Sequence, residues 1–455
     1  MPFKFPVMSR IHFIAIGGAA MHNLARALHD KGYIVTGSDD EIKEPSYSRL
    51  KEKGLLPASE GWHPENIDSD LDAVILGMHA RVDNPELLRA QELGIQIFSF
   101  PEYLYEQSKD KKRIVIGGSH GKTSITAMIL HVLQECKMNF DYMVGSRLEG
   151  FENMVKLSDD AEIIILEGDE YLSSPLDRRS KFLLYKGHLG LISGISWDHI
   201  NVFPTFEEYL DQFRKFIDSI EPGGTMVYFA PDPNIQKLVE HGRSDIQLIP
   251  YDQKPGSIQD GKTFVRSPEG DVQLQIFGDH NLQNMEGARV ICSELGVTEE
   301  LFYKSMTSFK GAARRLEKVY ESDGHVIFRD FAHSPSKLRA TIQAVKDQYP
   351  DKELVACMEL HTFSSLKKEF LIEYKGSMDR ADNAIVYFNP ETLKHKQLPN
   401  ISPQDIRTAF EFSSLLVFDN SNDLQSHIDE LDRTNTVLLL MSSGSFDGIS
   451  YSPKS

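Results

Sequence analysis

The 455-residue sequence has few cysteines, only two tryptophans and no long apolar run. Its three cysteines, Cys136, Cys292 and Cys357, are scattered among apolar neighbours and form no C-x-x-C pair. That excludes a disulfide framework or a thiolate metal site, and a reducing compartment is expected. No stretch approaches the ~20 apolar residues of a membrane span. The segment Met1 to Arg10 carries no extended apolar region of the signal-peptide kind. Positive charge is also short: 49 Lys and Arg face 67 Asp and Glu, for a formal charge of −18. This balance argues against binding a nucleic-acid backbone. A cytoplasmic protein without membrane or nucleic-acid partners is expected. Arg178-Arg179 with Lys181, and Arg314-Arg315, are local basic groups that keep anionic substrates open.

What is present is a globular composition, 40% hydrophobic and 25% charged, with no low-complexity tract. At roughly 100–200 residues per domain, two to four domains are predicted. The most informative stretch is Gly118-Ser119-His120-Gly121-Lys122-Thr123. It follows the apolar run Ile114-Val115-Ile116 and opens a helical pattern with Ile125, Met128, Ile129, Val132 and Leu133 on one face. Strand, glycine loop, Lys-Thr and helix make a cradle for nucleotide phosphates, because glycines admit close backbone approach and the helix-start amides point at the anion. Lys122 reaches the β- and γ-phosphates and the Thr123 hydroxyl sits on Mg²⁺. The loop is shorter than G-x-x-x-x-G-K-[ST], because residue 116 is isoleucine. The bland alternative, an ordinary glycine-rich turn, leaves the flanking strand and helix without purpose.

Three αβ blocks can be read. The first has the strand Ile11 to Ile16, then Gly17-Gly18, a helix with Met21, Leu24, Ala25 and Leu28, and the strand Tyr33 to Thr36 running into Asp39. An acidic residue about 20 positions beyond the glycines suits a nucleotide ribose. Ala15 and Ala20 stand where the G-x-G-x-x-G fingerprint has glycine, so a structural βαβ turn stays open beside a nucleotide site. Val74 to Leu76 and Ile95 to Phe98 are further strands, and charged Gln107 to Arg113 is read as a linker. The second block adds a strand Ile163 to Leu166 ending in Glu167-Gly168-Asp169-Glu170, and an apolar run Leu189 to Ile195 before Trp197-Asp198-His199. Ligands gather at the carboxyl ends of parallel strands, which places both acidic clusters near a Mg²⁺-nucleotide. The third block begins near Ala312, with strands at Val326–Phe328, Leu354–Ala356, Ala384–Tyr387 and Val437–Leu440 and a helix marked by Leu338, Ile342 and Val345.

The phosphate loop, the acidic strand end, Trp197-Asp198-His199, Gly278-Asp279-His280-Asn281-Leu282-Gln283-Asn284, Arg314-Arg315-Leu316-Glu317 and Asp330-Phe331-Ala332-His333, in this order, resemble the Mur ligase family along nearly the whole chain. The resemblance implies an α/β protein of three domains. These are a Rossmann-like UDP-sugar domain at residues 1–108, a central P-loop ATPase domain with a mainly parallel sheet at 109–311, and a Rossmann-like C-terminal domain at 312–455 that closes on ATP. It implies ATP-coupled amide-bond formation on UDP-N-acetylmuramate through an acyl phosphate, with ATP and Mg²⁺. Glu167 and His199 are implied as metal ligands beside Thr123. Gly118, Ser119, His120, Gly121 and Lys122 cradle phosphate, and His280 and Asn284 take the adenine. Arg315 takes a phosphate, Asp330 the ribose, and His333 lines the cleft. Gly17, Gly18 and Asp39 are implied for UDP. Catalysis is expected from Lys122, Glu167, His199, Arg315 and His333, by positioning and charge neutralisation rather than by a covalent nucleophile.

Two branches of the family share this type of first domain: one adds L-alanine, the other attaches the murein tripeptide L-Ala-γ-D-Glu-meso-diaminopimelate. Glu167 to Tyr171 with Arg179 to Phe182, Asp330 to His333, and Ser442 to Ile449 are more similar to the tripeptide branch. The tripeptide is therefore the expected amino substrate, with L-alanine the alternative. A non-catalytic relative is a further one, and an NAD-dependent oxidoreductase built on the first βαβ leaves Lys122-Thr123 unused. Ser119 stands where the family has Thr, Ser193 to Trp197 (with Gly194 and Ser196) lacks the usual Asn and Glu before Asp-His, and Ser334 replaces a second His. Tyr209 to Phe213 lacks the carbamylated lysine of several relatives. Monomer and dimer are both compatible with this reading.

Overall fold

The computed structural model describes residues 9–78, 80–197, 202–240, 243–322 and 324–451. Those up to residue 252, with 290–295, form one compact unit, and the remainder from residue 253 onward form a second.

The first unit holds two sheets. The smaller runs Ile34–Ser38, Arg10–Ile14, Ala73–Leu76, Ile97–Ser99, all parallel. Parallel strands need a crossover between them, and the helix Ala19–Asp30 supplies the first, burying Met21, Leu24, Ala25 and Leu28 as their spacing predicts. The larger sheet runs Gln247–Tyr251, Thr225–Phe229, Leu189–Ile192, Lys112–Gly117, Ile163–Glu167, Asp141–Met143, Val155–Lys156. Its strands are parallel except for the last, which is antiparallel to Asp141–Met143. Register sets Ile116 beside Glu167 and Gly117 beside Ile192, so three strands end at one level. The strand Lys112–Gly117 is fully buried from Arg113 on, which explains its unbroken apolar run. The helix Lys122–Glu135 buries Thr126, Ala127 and Leu130 as well as the predicted stripe, so it is enclosed rather than one-sided.

The stretch read as a linker is not one. Gln107 and Ser108 end the helix Phe100–Ser108, and Lys112-Arg113 begin a strand. Arg113 is 2% exposed, its guanidinium donating to the carbonyls of Ser108, Lys109, Tyr185 and Lys186. Lys111 pairs with buried Asp141 at 2.7 Å. Charge reads as solvated in a sequence, but carbonyls and a carboxylate have taken the place of water here.

The second unit holds an antiparallel meander, Gly256–Gln259, Lys262–Ser267, Gly270–Leu274, which the sequence reading did not foresee. Its larger sheet runs Glu317–Ser322, His325–Asp330, Thr436–Met441, Glu353–Leu360, Asn383–Phe388, Leu416–Phe418, parallel save for the antiparallel first pair. Alternate residues face opposite layers: Phe328, Ala356 and Met358 pack with Leu338, Ile342 and Val345, whereas Ile327, Val355 and Cys357 pack with Leu424 and Ile428. Both faces are covered, as expected of a doubly wound α/β layer.

Candidate functional site

The phosphate loop turns on glycine. Gly118 has φ +132° and Gly121, which caps the helix Lys122–Glu135, has φ +80°. A Cβ on Gly118 would run into Ser193. The helix start carries no side-chain cap and no acidic residue in its first turn, leaving its positive end to an anion.

The loop is stitched to the neighbouring strand end. Ser193 N–H donates to Gly117 O at 3.1 Å, Ser119 N–H to Gly194 O at 2.9 Å, and Ser196 N–H to Ser119 Oγ at 2.9 Å. The Ser193 hydroxyl donates to His120 O. Gly194 has φ +155°, and a Cβ there would strike the His120 ring. Beyond it, Ile195 N–H donates to Asp232 Oδ2 at 2.7 Å, and Asp232 also caps the helix Pro233–Val239. Ser193, Gly194 and Ser196, the departures noted in the sequence, are thus the groups that fasten the loop. Trp197 follows with its indole N–H on Phe203 O at 3.1 Å. His199 lies outside the described residues.

Thr123 and Glu167 are together. The Thr123 hydroxyl donates to Glu167 Oε1 at 2.7 Å, and Gly145 N–H donates to Oε2 at 2.7 Å. A threonine that gives its one hydrogen to a carboxylate turns its lone pairs outward. One carboxylate with one hydroxyl, beside a phosphate cradle, is the donor set Mg²⁺ uses with substrate phosphates. Among the described residues no group of three His, Cys, Asp or Glu side chains is arranged for chelation.

Lys122 Nζ donates to Gly118 O and to Glu170 Oε2, both at 2.6 Å. Burial acts to lower its pKa, but Glu170 and Asp169 outweigh burial and hold the ammonium above its ordinary value. Asp169 is itself paired with Lys181 at 2.7 Å. Glu170 also accepts from Tyr209, whose part at the loop was not read from the sequence. Tyr209 lies among Phe213, Phe216 and Ile217 on the buried face of the helix Phe206–Asp218, so its periodicity reads as core. No pattern in the chain marks its hydroxyl as directed at the loop.

At the first glycine turn, Gly17 N–H donates to Asp39 Oδ2 at 2.7 Å. Ala15 sits at φ +68°, the conformation for which the fingerprint would supply glycine, so the turn is formed at a small steric cost. Asp39 is buried, and burial together with Asp40 pushes its carboxyl up to about 6. Gly17, Gly18 and Asp39 are therefore brought together. His22 Nδ1 donates to Gly18 O at 2.9 Å, and Arg49 approaches His22 at 3.3 Å.

In the second unit, Asp330 Oδ2 accepts Leu316 N–H and Oδ1 accepts Ala332 N–H, both at 2.7 Å. Its carboxylate fastens the backbone around Arg314 and Leu316, which have φ +55° and +48°. The Arg315 guanidinium lies 4.6 Å over the Phe331 ring, and His333 stands edge-on to that ring. His280 and Asn284 are one turn apart on the helix Asp279–Glu294. Burial pushes the His280 imidazole below its ordinary pKa against the pull of Asp330 and Asp279. Ser334 begins the helix Pro335–Gln348 without a side-chain cap bond.

The sequence matches three family models: "Mur ligase family, catalytic domain" over residues 10–112, "Mur ligase middle domain" over 116–292 and "Mur ligase, glutamate ligase domain" over 314–444. It is 28% identical to a UDP-N-acetylmuramate–L-alanine ligase of Carboxydothermus hydrogenoformans, covering 98% of this chain and 97% of the relative. It is 31% identical to the enzyme of the same name from Aquifex aeolicus, covering 78% and 79%. Among solved structures, the UDP-N-acetylmuramate-alanine ligase of Thermotoga maritima superposes with a TM-score of 0.72 at 20% identity, covering 96% of each chain. A murein peptide ligase of Psychrobacter arcticus superposes at 0.67 and 22%, covering 97% of each. These two show the fold.

The sequence relatives correct the expectation of the tripeptide branch, since they carry the L-alanine name over nearly the whole chain. Of the stretches behind that expectation, several residues serve the fold or the phosphate loop. Phe182 stacks on Phe216 in the core, Ala332 is 2% exposed, and Asp330 bonds backbone. Residues that serve packing say little about the amine.

Proposed function

The chain belongs to the Mur ligase family of ATP-dependent ligases, and we propose from that premise that it joins L-alanine to the lactoyl carboxylate of UDP-N-acetylmuramate. The observation that carries the chemistry is the Thr123–Glu167 pair beside the Lys122 loop. The full-length likeness to UDP-N-acetylmuramate–L-alanine ligases supports the substrate pair.

The loop amides and Lys122 bind the ATP phosphates, and the lysine neutralises charge on the transferring group. Thr123 and Glu167 are the described residues suited to hold Mg²⁺, which would supply further charge neutralisation at the phosphates. His280 and Asn284 are assigned to adenine, Arg315 to phosphate and Asp330 to ribose through its remaining lone pairs. His333 is assigned a catalytic part. Gly17, Gly18 and Asp39 are assigned to UDP. The muramyl carboxylate oxygen attacks the γ-phosphorus, ADP leaves, and an acyl phosphate forms. The neutral amine of L-alanine then attacks the acyl carbon, and phosphate departs as the amide forms.

The test is ADP release by purified protein supplied with ATP, Mg²⁺, UDP-N-acetylmuramate and L-alanine, with each omitted in turn. Release that requires L-alanine and yields the alanylated nucleotide sugar is expected. Full release without L-alanine, or none with it, would refute the assignment.

A further inference from the structure

Beneath the phosphate loop, four side chains form a directed run of hydrogen bonds. The Ser119 hydroxyl and the Tyr209 phenol meet at 2.7 Å, and the phenol donates to Glu170 Oε1 at 2.9 Å. A phenol has one hydrogen, and it goes to Glu170; the serine must therefore donate to the phenol oxygen. Ser119 in turn accepts Ser196 N–H. The other Glu170 oxygen, Oε2, holds Lys122 Nζ. Tyr209 is 0% exposed and Glu170 1%, so water does not compete for these bonds. The tyrosine ring is wedged edge-on against Phe213, at 5.4 Å, and tilted against Phe203, at 5.6 Å. Its oxygen is therefore delivered to a fixed point.

A lysine on a four-carbon stem is a mobile point charge, and a loop lysine must stand at a defined place when phosphates arrive. We infer that Tyr209 is a positioning residue: by fixing Glu170, it sets where the Lys122 ammonium stands. The inference rests on the reading of the loop as a nucleotide site. Tyr209→Phe removes one oxygen and keeps the ring. Glu170 then loses a donor and draws harder on the ammonium, away from the phosphates.

The experiment is calorimetric titration of ADP with Mg²⁺ into the full chain and its Tyr209→Phe, Lys122→Ala and doubly substituted forms. Tyr209→Phe is expected to weaken ADP binding about fivefold when Lys122 is present, within the coupling that touching neighbours show. It is expected to change nothing when Lys122 is alanine. Equal weakening in both backgrounds, or none in either, overturns the inference. If Tyr209→Phe does not melt cooperatively, Glu170→Gln keeps an acceptor for the phenol but discards the charge that holds the ammonium, and must show the same dependence on Lys122; equal weakening in both backgrounds overturns the inference too. Failure of the unsubstituted chain to bind ADP overturns the nucleotide reading itself, whereas a silent Tyr209→Phe with a damaging Lys122→Ala overturns only the positioning role.

Discussion

Lys122 and Glu167 divide the work of the loop between a mobile charge and a fixed carboxylate. Lys122→Ala removes charge that is used most at the transition state, so kcat should fall by at least ~100-fold, the size of losing one such donor. Glu167→Gln keeps an acceptor for Thr123 but discards the negative charge. The Mg²⁺ concentration giving half-maximal rate should rise about 10- to 100-fold, as for weakened metal shells. Steady-state rates across a Mg²⁺ series check both. Asp39 carries a pH dependence of defined sign. Its carboxyl is raised from 3.8 to about 6 in the folded chain by burial and by Asp40. Stability is then complete below about pH 4 and declines as pH rises through about 6, by at most ~3 kcal/mol. Melting temperatures from pH 4 to 8 should show Asp39→Asn equal to the unsubstituted chain at pH 4 and more stable at pH 8. An unchanged difference across that range would count against the shift.

Among the elements, the two joined strand ends matter most. The Leu189–Ile192 strand delivers Ser193, Gly194 and Ser196 to the loop, and Asp232 anchors the segment from the far side. Gly194→Ala adds a Cβ that strikes His120 at a φ of +155°. A loss of about 1–3 kcal/mol is expected from strain alone. ADP affinity should fall with it while the far-UV circular dichroism spectrum is retained; unaltered affinity would show that the stitching does not shape the loop. The strand–loop–helix of residues 112–135 was legible because strand, glycine and Lys-Thr signals agree at one place. The meander from Gly256 to Leu274 was not, since its first strand is wholly exposed and its middle strand buries Thr263 and Ser267 beside Val265, so the face turned inward is not marked by apolar residues alone. Arg113 misled for the opposite reason, as a charge buried by carbonyls looks the same in sequence as one in water.

For the whole molecule, parallel sheets in both units bring the candidate site residues to strand ends, which is why an ordered set of short motifs revealed the α/β class and the family. The amine was misread because the stretches consulted for it hold residues of packing, of backbone bonding and of the phosphate loop. In the proposed reaction a muramyl carboxylate is activated as an acyl phosphate by the γ-phosphoryl group held over the Lys122 loop. UDP-N-acetylmuramate labelled with ¹⁸O in its carboxylate, turned over with ATP and L-alanine, tests this directly. Each turnover should carry one labelled oxygen into inorganic phosphate and leave the other in the amide. Phosphate released without label would contradict it.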